Sequence, residues 1–374
     1  MIGSREGRNR EDRMIRDWHP RQWMANGPDA GRATALLAAM LVVYGVSAPA
    51  QAQTLAELTS YSGPDRTARL VAGAKKEGTV TLYSSATLAD QSALLGAFQA
   101  KYGIRVQQWR GSSEDIRNRA LTEYASGRFD ADLAETAGSE MEIMVREQLL
   151  QAVTTPAAAQ LIPQARMPHH GWIATRLSVF VGAYNTNIIK PADVPKSYED
   201  LRAPKWKGKL GIEVEDANWF LSVVGFMGEQ KGLRLFHDIV AANGISVRKG
   251  HTLLANFVGS GEVPLALTTY SYRVEQMKNI EGAPIEILYL PPVVALPTGA
   301  GVFKRAPHPY AALLLLDFYL TDAQKILAGR EAVPTDPRAK ELPKDMIFVD
   351  FPKYLDEGEK WRKLFEDTFV NPAR

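Results

Sequence analysis

The sequence contains no cysteine. Structural disulfides, thiolate metal sites and cysteine catalysis are therefore excluded. Neither sign of charge dominates, because 44 Lys and Arg residues stand against 42 Asp and Glu residues, and the small excess lies in the first 52 residues. Without a basic patch, nucleic acid is not an expected partner. We also find no Gly-rich phosphate loop, no His-x-x-x-His zinc motif and no Ser-His-Asp set.

Long apolar runs are scarce as well. Residues 33–46 form an apolar stretch that follows Arg32 and is too short to span a bilayer. The stretch leads to an Ala-x-Ala end at Ala52. A basic lead, an apolar core and such an end predict a signal peptide over residues 1–52. We therefore expect a soluble periplasmic protein, and the length of 374 residues predicts two lobes.

Three strand–turn–helix units follow one another after Gly78. Each has a short apolar strand, a turn of small residues and a helical pattern, at strands 79–83, 104–109 and 131–134 and helices 89–102, 113–125 and 139–147. Strands that alternate with helices at this spacing predict right-handed βαβ units and a parallel sheet.

Each of these helices begins with the spacing of a capping box. A hydroxyl stands three residues before a carboxylate in the pairs Thr87/Asp90, Ser112/Asp115 and Ser139/Glu142. Three strand ends and three helix starts should therefore meet at one edge of the sheet, where ligands of α/β proteins bind. A single capping box more often only starts a helix; the repetition favours a binding site.

Two segments resemble crossings between lobes. Residues 172–185 are apolar and β-branched, which predicts a strand pair at the first crossing, and the Pro-containing segment 285–294 predicts a strand that returns. The expected domains are residues 53–181 and 284–328 for lobe 1, 182–283 for lobe 2, and 329–374 for a C-terminal helical segment that packs on lobe 2. The predicted fold is α/β, with two lobes, each a mostly parallel sheet flanked by helices, joined by hinge strands.

Carboxylates at two predicted turns are candidate ligand-binding groups. Glu135 follows an apolar strand, and Thr136 follows Glu135. Glu215 and Asp216 lie between a strand and a helix. Such carboxylates can coordinate a cation or hold an ammonium group, but Asp216 can equally be a helix cap that interacts with the helix dipole.

Hydroxyl, aromatic and basic side chains complete the candidate site. Hydroxyls at the first turn and side chains further along the chain could reach the same cleft: Ser84, Ser85, Thr87, Trp219, Tyr270, Tyr272 and Arg273. Trp219 could stack on a ligand or a cation, although tryptophan more often packs in a core. The two tyrosines alternate around Ser271, so we expect them to point differently.

Several ordered segments resemble a known family. They are 80–85 (VTLYSS), 98–106, 131–133, 184–186, 197–211 (SYEDLRAPKWKGKLG), 260–263 and 317–324. Together the segments resemble periplasmic solute-binding proteins of ABC importers, of the two-lobed type II class, and are most similar to the ferric-iron-binding family. The resemblance implies a monomeric, non-enzymatic protein without a cofactor, whose partners are a ligand and an inner-membrane ABC permease.

The family's metal ligands match this sequence only in part. Where the family has a tyrosine pair, this chain has Ser271 and Tyr272. An iron site would have to be built from Glu135, Glu215, Asp216, Tyr270 and Tyr272. A cationic or polar organic solute is the other expected ligand. The alternative function is an exported hydrolase that uses paired carboxylates in the cleft between the lobes.

Overall fold

The computed structural model describes residues 55–342 and 345–372, so the predicted signal peptide lies outside the described residues. The strands are β1 (Thr79–Ser84), β2 (Arg105–Arg110), β3 (Leu133–Ala137), β4 (Ile173–Asn185), β5 (Leu210–Glu213), β6 (Ser246–Arg248), β7 (Leu265–Tyr270), β8 (Ile285–Leu288), β9 (Val293–Val302), β10 (Val333–Pro334) and β11 (Met346–Phe348). The α-helices are α1 (Leu55–Ser60), α2 (Arg66–Glu77), α3 (Leu88–Tyr102), α4 (Ser113–Ala125), α5 (Gly138–Arg146), α6 (Ala217–Met227), α7 (Glu229–Asn243), α8 (His251–Ser260), α9 (Ser271–Asn279), α10 (Pro309–Tyr319), α11 (Asp322–Gly329) and α12 (Phe351–Phe365). Within these ranges, no helix has the length and apolar character that a membrane crossing needs.

One mixed sheet runs through both lobes. Its order is β2-β1-β3-β9-β4-β7-β5-β6, with β8 and β10 beside β4 and β11 beside β9. In lobe 1, β1 pairs in parallel with β2 and β3. In lobe 2, β5 pairs in parallel with β6 and β7. Lobe 1 thus contains the parallel strands that the repeated units predict, lobe 2 also contains parallel strands, and the two-lobed α/β fold is confirmed.

Two long strands belong to both lobes. β4 and β9 pair antiparallel from Ile173↔Ala300 to Phe180↔Val294. The end of β9 pairs with β3 of lobe 1, whereas the end of β4 pairs with β7 and β8 of lobe 2. By its internal contacts the chain from Ala52 to Arg374 is one unit, so the lobes are regions joined through these strands.

The segment 172–185, predicted as a strand pair, is the single strand β4, and the return crossing is shifted. The predicted strand 285–294 is two strands, because β8 ends at Leu288 inside lobe 2 and β9 begins at Val293. Two separate helices, α1 and α2, precede β1. The chain turns between α1 and α2 at Pro64, where a proline removes the backbone donor that a continuous helix needs.

The C-terminal helix α12 packs against both lobes. The rings of Trp361 and Phe365 lie edge-on to Phe220 of α6 in lobe 2, at centroid distances of 6.2 and 5.8 Å. At the other end of α12, Phe351 contacts Trp172 with ring centroids 5.8 Å apart. The helix therefore forms one side of the space between the lobes, in addition to the packing on lobe 2 that the sequence predicts.

Candidate binding cleft

A cleft of about 870 Å³ opens between the lobes. It is lined by residues at the N-terminal ends of α3, α4, α5, α6, α8 and α9, which follow the ends of strands or the turns behind them. The backbone N–H groups at a helix start have no partner within the helix, and the helix dipole is positive there. Thr87 and Ser112 cap α3 and α4 with their side chains, whereas the other four helix starts have no side-chain cap.

Four small polar residues and one arginine form what we call the lobe-1 wall: Ser85, Thr87, Ser112, Ser139 and Arg110. The predicted caps of α3 and α4 are confirmed: Asp90 N donates to Thr87 Oγ1 at 3.2 Å, and Asp115 N donates to Ser112 Oγ at 3.1 Å. The predicted Ser139 cap is wrong, since α5 begins one residue earlier, at Gly138.

Glu135 and Ser84 lie beneath this wall and do not line the cleft. Both side chains are fully buried, and Ser84 Oγ donates to Glu135 Oε2 at 2.6 Å. The other oxygen of Glu135 accepts from Arg176 Nη1. The sequence places Glu135 in a turn, but β3 continues to Ala137 because it pairs with β9. The side chain of Glu135 therefore does not reach the cleft and cannot contact a ligand there directly.

Arg176 is a cleft residue that the sequence analysis missed. It lies in β4 and lines the cleft while its guanidinium binds Glu135. Burial tends to lower the pKa of Arg176, but the charge of Glu135 raises it overall. The sequence did contain a signal for Arg176, because an arginine within the apolar segment 173–185 is unusual and indicates a functional or paired charge. Thr136, a predicted contact, is fully buried and is not among the lining residues.

Acidic and aromatic side chains gather on the opposite side, in what we call the lobe-2 corner: Glu213, Asp216, His251, Tyr270 and Tyr272. Ligand atoms of Glu213, Asp216 and His251 all lie within 4.8 Å of one another. His251 Nε2 is 2.9 Å from Asp216 Oδ1. This arrangement of two carboxylates and an imidazole can hold a cation.

Burial and neighbouring charge shift the titration of this corner. Burial, and then the charge of Asp216, raise the pKa of Glu213 to about 7. Burial alone would lower the pKa of His251, but Asp216 and Glu213 raise it overall. The two oxygens of Glu213 accept from Glu215 N at 2.6 Å and Gly250 N at 2.8 Å. The carboxylate of Glu213 thus occupies the start of α8, where an external anion could otherwise bind.

The two tyrosines lie together in this corner. The Tyr270 ring stacks on His251 with centroids 3.9 Å apart and lies within 17° of parallel to the Tyr272 ring, 5.9 Å away. Both line the cleft, so the expectation that they point differently is wrong. Burial raises the pKa of both phenols, and that of Tyr270 well above its usual value. The sequence analysis also missed His251, which is the first residue of α8.

Two predicted contacts lie elsewhere. Trp219 is only 2% exposed and packs between Tyr198 and Phe236, so it belongs to the core of lobe 2. Arg273 binds Glu281 Oε1 at 2.5 Å and does not line the cleft. Both residues lie two residues into their helices, and the helical turn directs them away from the cleft.

Glu215 lines the cleft but already has a partner. Its carboxylate is 2.9 Å from Lys249 Nζ, and the lysine side chain is 70% exposed. Lys249 also lines the cleft, as do Tyr354 and Arg362 of α12. Sequence spacing could not indicate the α12 residues, because only tertiary packing brings them beside turns more than a hundred positions earlier.

The fold and cleft define a two-lobed solute-binding protein. Residues 84–326 match the family model described as "Bacterial extracellular solute-binding protein". The chain belongs to this family, whose members bind a ligand. The sequence-based expectation of a solute-binding protein of the two-lobed class is thereby confirmed.

Individual relatives agree with this assignment. The chain is 25% identical over 292 residues to "Iron uptake protein A1" of Synechocystis sp., covering 73% of this chain and 79% of the relative. Iron-bound HitA from Pseudomonas aeruginosa is similar in structure, with a TM-score of 0.66, 24% identity and coverage of 78% of this chain and 99% of HitA. The periplasmic binding protein AfuA from Actinobacillus pleuropneumoniae, with fructose-6-phosphate bound, has a TM-score of 0.70, 20% identity and coverage of 79% and 100%. These structures share the fold of this chain.

Proposed function

We propose that this protein is the periplasmic capture component of an ABC importer, which binds a small solute between its lobes and presents it to a membrane permease. The observation that carries the proposal is that β4 and β9 are shared by both lobes beneath the cleft. Bending of these two shared strands lets the lobes close without breaking the sheet. The description of the family supports the capture of a solute outside the cytoplasm, and the name of the periplasmic binding protein AfuA supports the periplasmic location.

In this proposal the lobes are residues 53–181 with 284–328, and 182–283, except that β8 (Ile285–Leu288) belongs to lobe 2. A solute drives closure only if it binds the closed form better than the open form, and side chains from both lobes and from α12 line the cleft. A permease can then distinguish the loaded, closed shape from the empty one. The protein acts as a monomer, since one chain supplies every group in the cleft that we assign.

Ferric iron is the first proposed cargo, because the curated relative is an iron uptake protein. Of the ligands proposed from sequence, Glu135 is bound to Arg176 and Glu215 to Lys249. Asp216, Tyr270 and Tyr272 remain, and Glu213 and His251 complete the lobe-2 corner. Carboxylate and phenolate oxygens suit the hard Fe³⁺ ion. Iron would displace protons from these groups, so its affinity should fall as the pH is lowered.

A polar organic solute is the second candidate cargo. The cleft volume of about 870 Å³ lies within the range of roughly 300–1,000 Å³ typical of pockets for small organic molecules. A bare ion would leave most of this space filled with water. The bound fructose-6-phosphate of AfuA shows that a protein of this fold can hold such a solute.

Titration with ferric citrate separates these cargoes. Iron held by Tyr270 or Tyr272 should give a visible tyrosinate absorption band at one ion per chain, and Asp216→Asn should abolish it. Asp238→Asn is the matched control, since Asp238 forms an exposed ion pair with Arg202 instead. A protein that stays colourless, together with an Asp216→Asn variant of unchanged iron uptake, would exclude iron at this corner.

A hydrolase is the weaker hypothesis. The family is one of binding proteins, and the two acidic groups closest to each other in the corner are already bonded, Glu213 to backbone N–H groups and Asp216 to His251. We propose that the protein does not consume its ligand. Recovery of the bound solute unchanged after prolonged incubation is the expected result, and appearance of a product would contradict it.

A further inference from the structure

The lobe-1 wall contains a buried hydroxyl without a partner. Ser139 is 3% exposed, lines the cleft and forms no side-chain hydrogen bond with another described residue. It lies in the first turn of α5, a nine-residue helix with no side-chain cap. Free backbone N–H groups and a free hydroxyl therefore face the cleft at one place.

Arg110 adds an uncompensated positive charge to the same wall. Arg110 is the last residue of β2 and pairs in register with Ser84 of β1. Ser84 pairs in register with Glu135 of β3, and Ser139 follows Glu135 by four residues, so Arg110 and Ser139 lie at the same edge of the sheet. The Nε of Arg110 donates to the carbonyl of Ala86 at 3.0 Å, which fixes the side chain. Arg110 makes no ion pair within the described part of the chain, so its terminal nitrogens are available to a ligand.

Three carboxylates near this wall each have a cation, and a fourth, Asp115, accepts a hydrogen bond from Ser112 N at 2.9 Å in the capping box of α4. Glu140 and Glu114 line the cleft, and Arg117 binds both, at 2.8 and 3.4 Å. Burial, opposed by Arg117, raises the pKa of Glu140. Glu135 beneath the wall is bound to Arg176. The charge of Arg110 therefore faces the cleft without an acidic partner of its own, unlike the lobe-2 corner, where carboxylates predominate.

We propose that the solute carries an anionic group, a carboxylate or a phosphoryl group, which binds between Arg110 and the N-terminus of α5 and accepts a hydrogen bond from Ser139. This inference rests on the proposed capture function and specifies its substrate class. A guanidinium matches the two oxygens of such a group in a bidentate contact. With the cation-binding corner opposite, two sources fit: an organic acid that chelates a metal ion, or an organic phosphate bound without metal.

Calorimetric titration of the metal-free full-length protein tests the inference. The probes are citrate, ferric citrate, inorganic phosphate, fructose 6-phosphate and, as the neutral comparison, fructose. We expect at least one anionic probe to bind and fructose not to bind. Binding of citrate only together with iron assigns a metal chelate, whereas metal-free binding of fructose 6-phosphate assigns an organic phosphate.

Two variants locate the anion. Arg110→Gln should weaken binding of the anionic probe about 10- to 100-fold, because a charged hydrogen-bonded contact is lost, and Ser139→Ala should weaken it several-fold. Arg105→Gln is the matched control, since Arg105 is exposed at the opposite end of the same strand. We expect this control to bind like the wild type, and both site variants to keep the wild-type thermal midpoint without ligand.

Three results would overturn the inference: fructose binding as tightly as its phosphate, all anionic probes failing to bind, or Arg110→Gln binding like Arg105→Gln. Small-angle scattering distinguishes this failure from failure of the capture function. If a neutral or purely cationic solute closes the lobes, the capture function stands and the anionic group is excluded. If no solute changes the scattering of the protein, the capture function itself is wrong.

Discussion

The two sides of the cleft have the same secondary structure and opposite chemistry. In the lobe-1 wall, parallel strands end in turns of serine, threonine and glycine, and Arg110 is the free charge. In the lobe-2 corner, the corresponding turns hold Glu213 and Asp216. Gly250 N, at the start of α8, donates to Glu213, and the His251 ring of α8 pairs with Asp216. In the lobe-1 wall the start of α5 is open to a ligand, whereas in the lobe-2 corner the carboxylate of Glu213 occupies the start of α8.

This difference shows how a single fold can change its ligand. The strand–turn–helix edge supplies positive potential wherever it occurs. A carboxylate in the turn neutralises that potential and turns an anion site into a cation site, without altering a strand or a helix. The two sides can therefore be tested separately, by substitutions of a buried charge, a titrating carboxylate, a helix cap and a surface ion pair.

The largest effect is expected beneath the lobe-1 wall. Glu135→Ala should leave the guanidinium of Arg176 buried without its partner, and this should lower the free energy of unfolding by about 3–5 kcal/mol. Urea unfolding followed by circular dichroism measures the loss. Asp238→Ala, which breaks an exposed pair with Arg202, is the control and should cost less than about 1 kcal/mol. Equal losses in the two variants would contradict the buried ion pair.

The next effect concerns the titration of the lobe-2 corner in the metal-free protein. The pKa of Glu213 is raised in the folded state, from 4.5 to about 7. The folded protein therefore holds this proton more tightly than the unfolded chain does, so stability is greatest below about pH 4.5 for this group and falls as the pH rises to about 7, by up to ~3 kcal/mol. The raised pKa of His251 acts in the same direction, with its contribution lost as the pH rises through its folded pKa.

Glu213→Gln should flatten this pH dependence, because the amide does not titrate. The measurement is the free energy of unfolding in urea at several pH values between about 4.5 and about 8, for the variant and the wild type. A variant that loses as much stability with rising pH as the wild type would show that Glu213 titrates normally.

The sequence predicted the edges of the cleft better than its interior. Short-range patterns located the starts of α3 and α4 and the caps Thr87 and Ser112, since a cap depends only on residues within one helical turn. They placed Glu135 wrongly, because β3 is extended by pairing Ala137 with Thr298, 161 positions away. Pairing over such a distance leaves no signal near Glu135 itself.

The cleft residues that were missed share this cause. Arg176 is turned into the cleft by the register of β4 with β9, and Tyr354 and Arg362 reach it because α12 packs across both lobes. Trp219 shows the opposite error, because it was predicted to contact the ligand but packs in the core. It lies two residues into α6, where the geometry of the helix directs its side chain away from the cleft. Local patterns define which turns face the ligand, and tertiary packing decides which side chains do.

A smaller effect is expected at a helix start of the lobe-1 wall. Ser112 caps α4 with a capping box, in which Ser112 N also donates to Asp115 Oδ2 at 2.9 Å. Ser112→Ala should lower the free energy of unfolding by about 1 kcal/mol, the usual cost of losing a side-chain cap. Ser139→Ala is the comparison, because its hydroxyl caps nothing, and should leave stability nearly unchanged. Equal losses would mean that Ser139 has a structural partner.

The smallest effect on stability is expected at the rim of the lobe-2 corner. Glu215 and Lys249 form a surface pair, with side chains 35% and 70% exposed, so Glu215→Gln should change the free energy of unfolding by less than about 1 kcal/mol. The same variant frees the ammonium of Lys249 beside the cleft. If the solute carries an anionic group, its affinity should therefore rise slightly in Glu215→Gln, and the gain should vanish at high salt, where exposed charges are screened. A purely cationic cargo would instead bind more weakly, so the sign of this small change, measured by calorimetry at low and high salt, tells which side of the cleft dominates recognition.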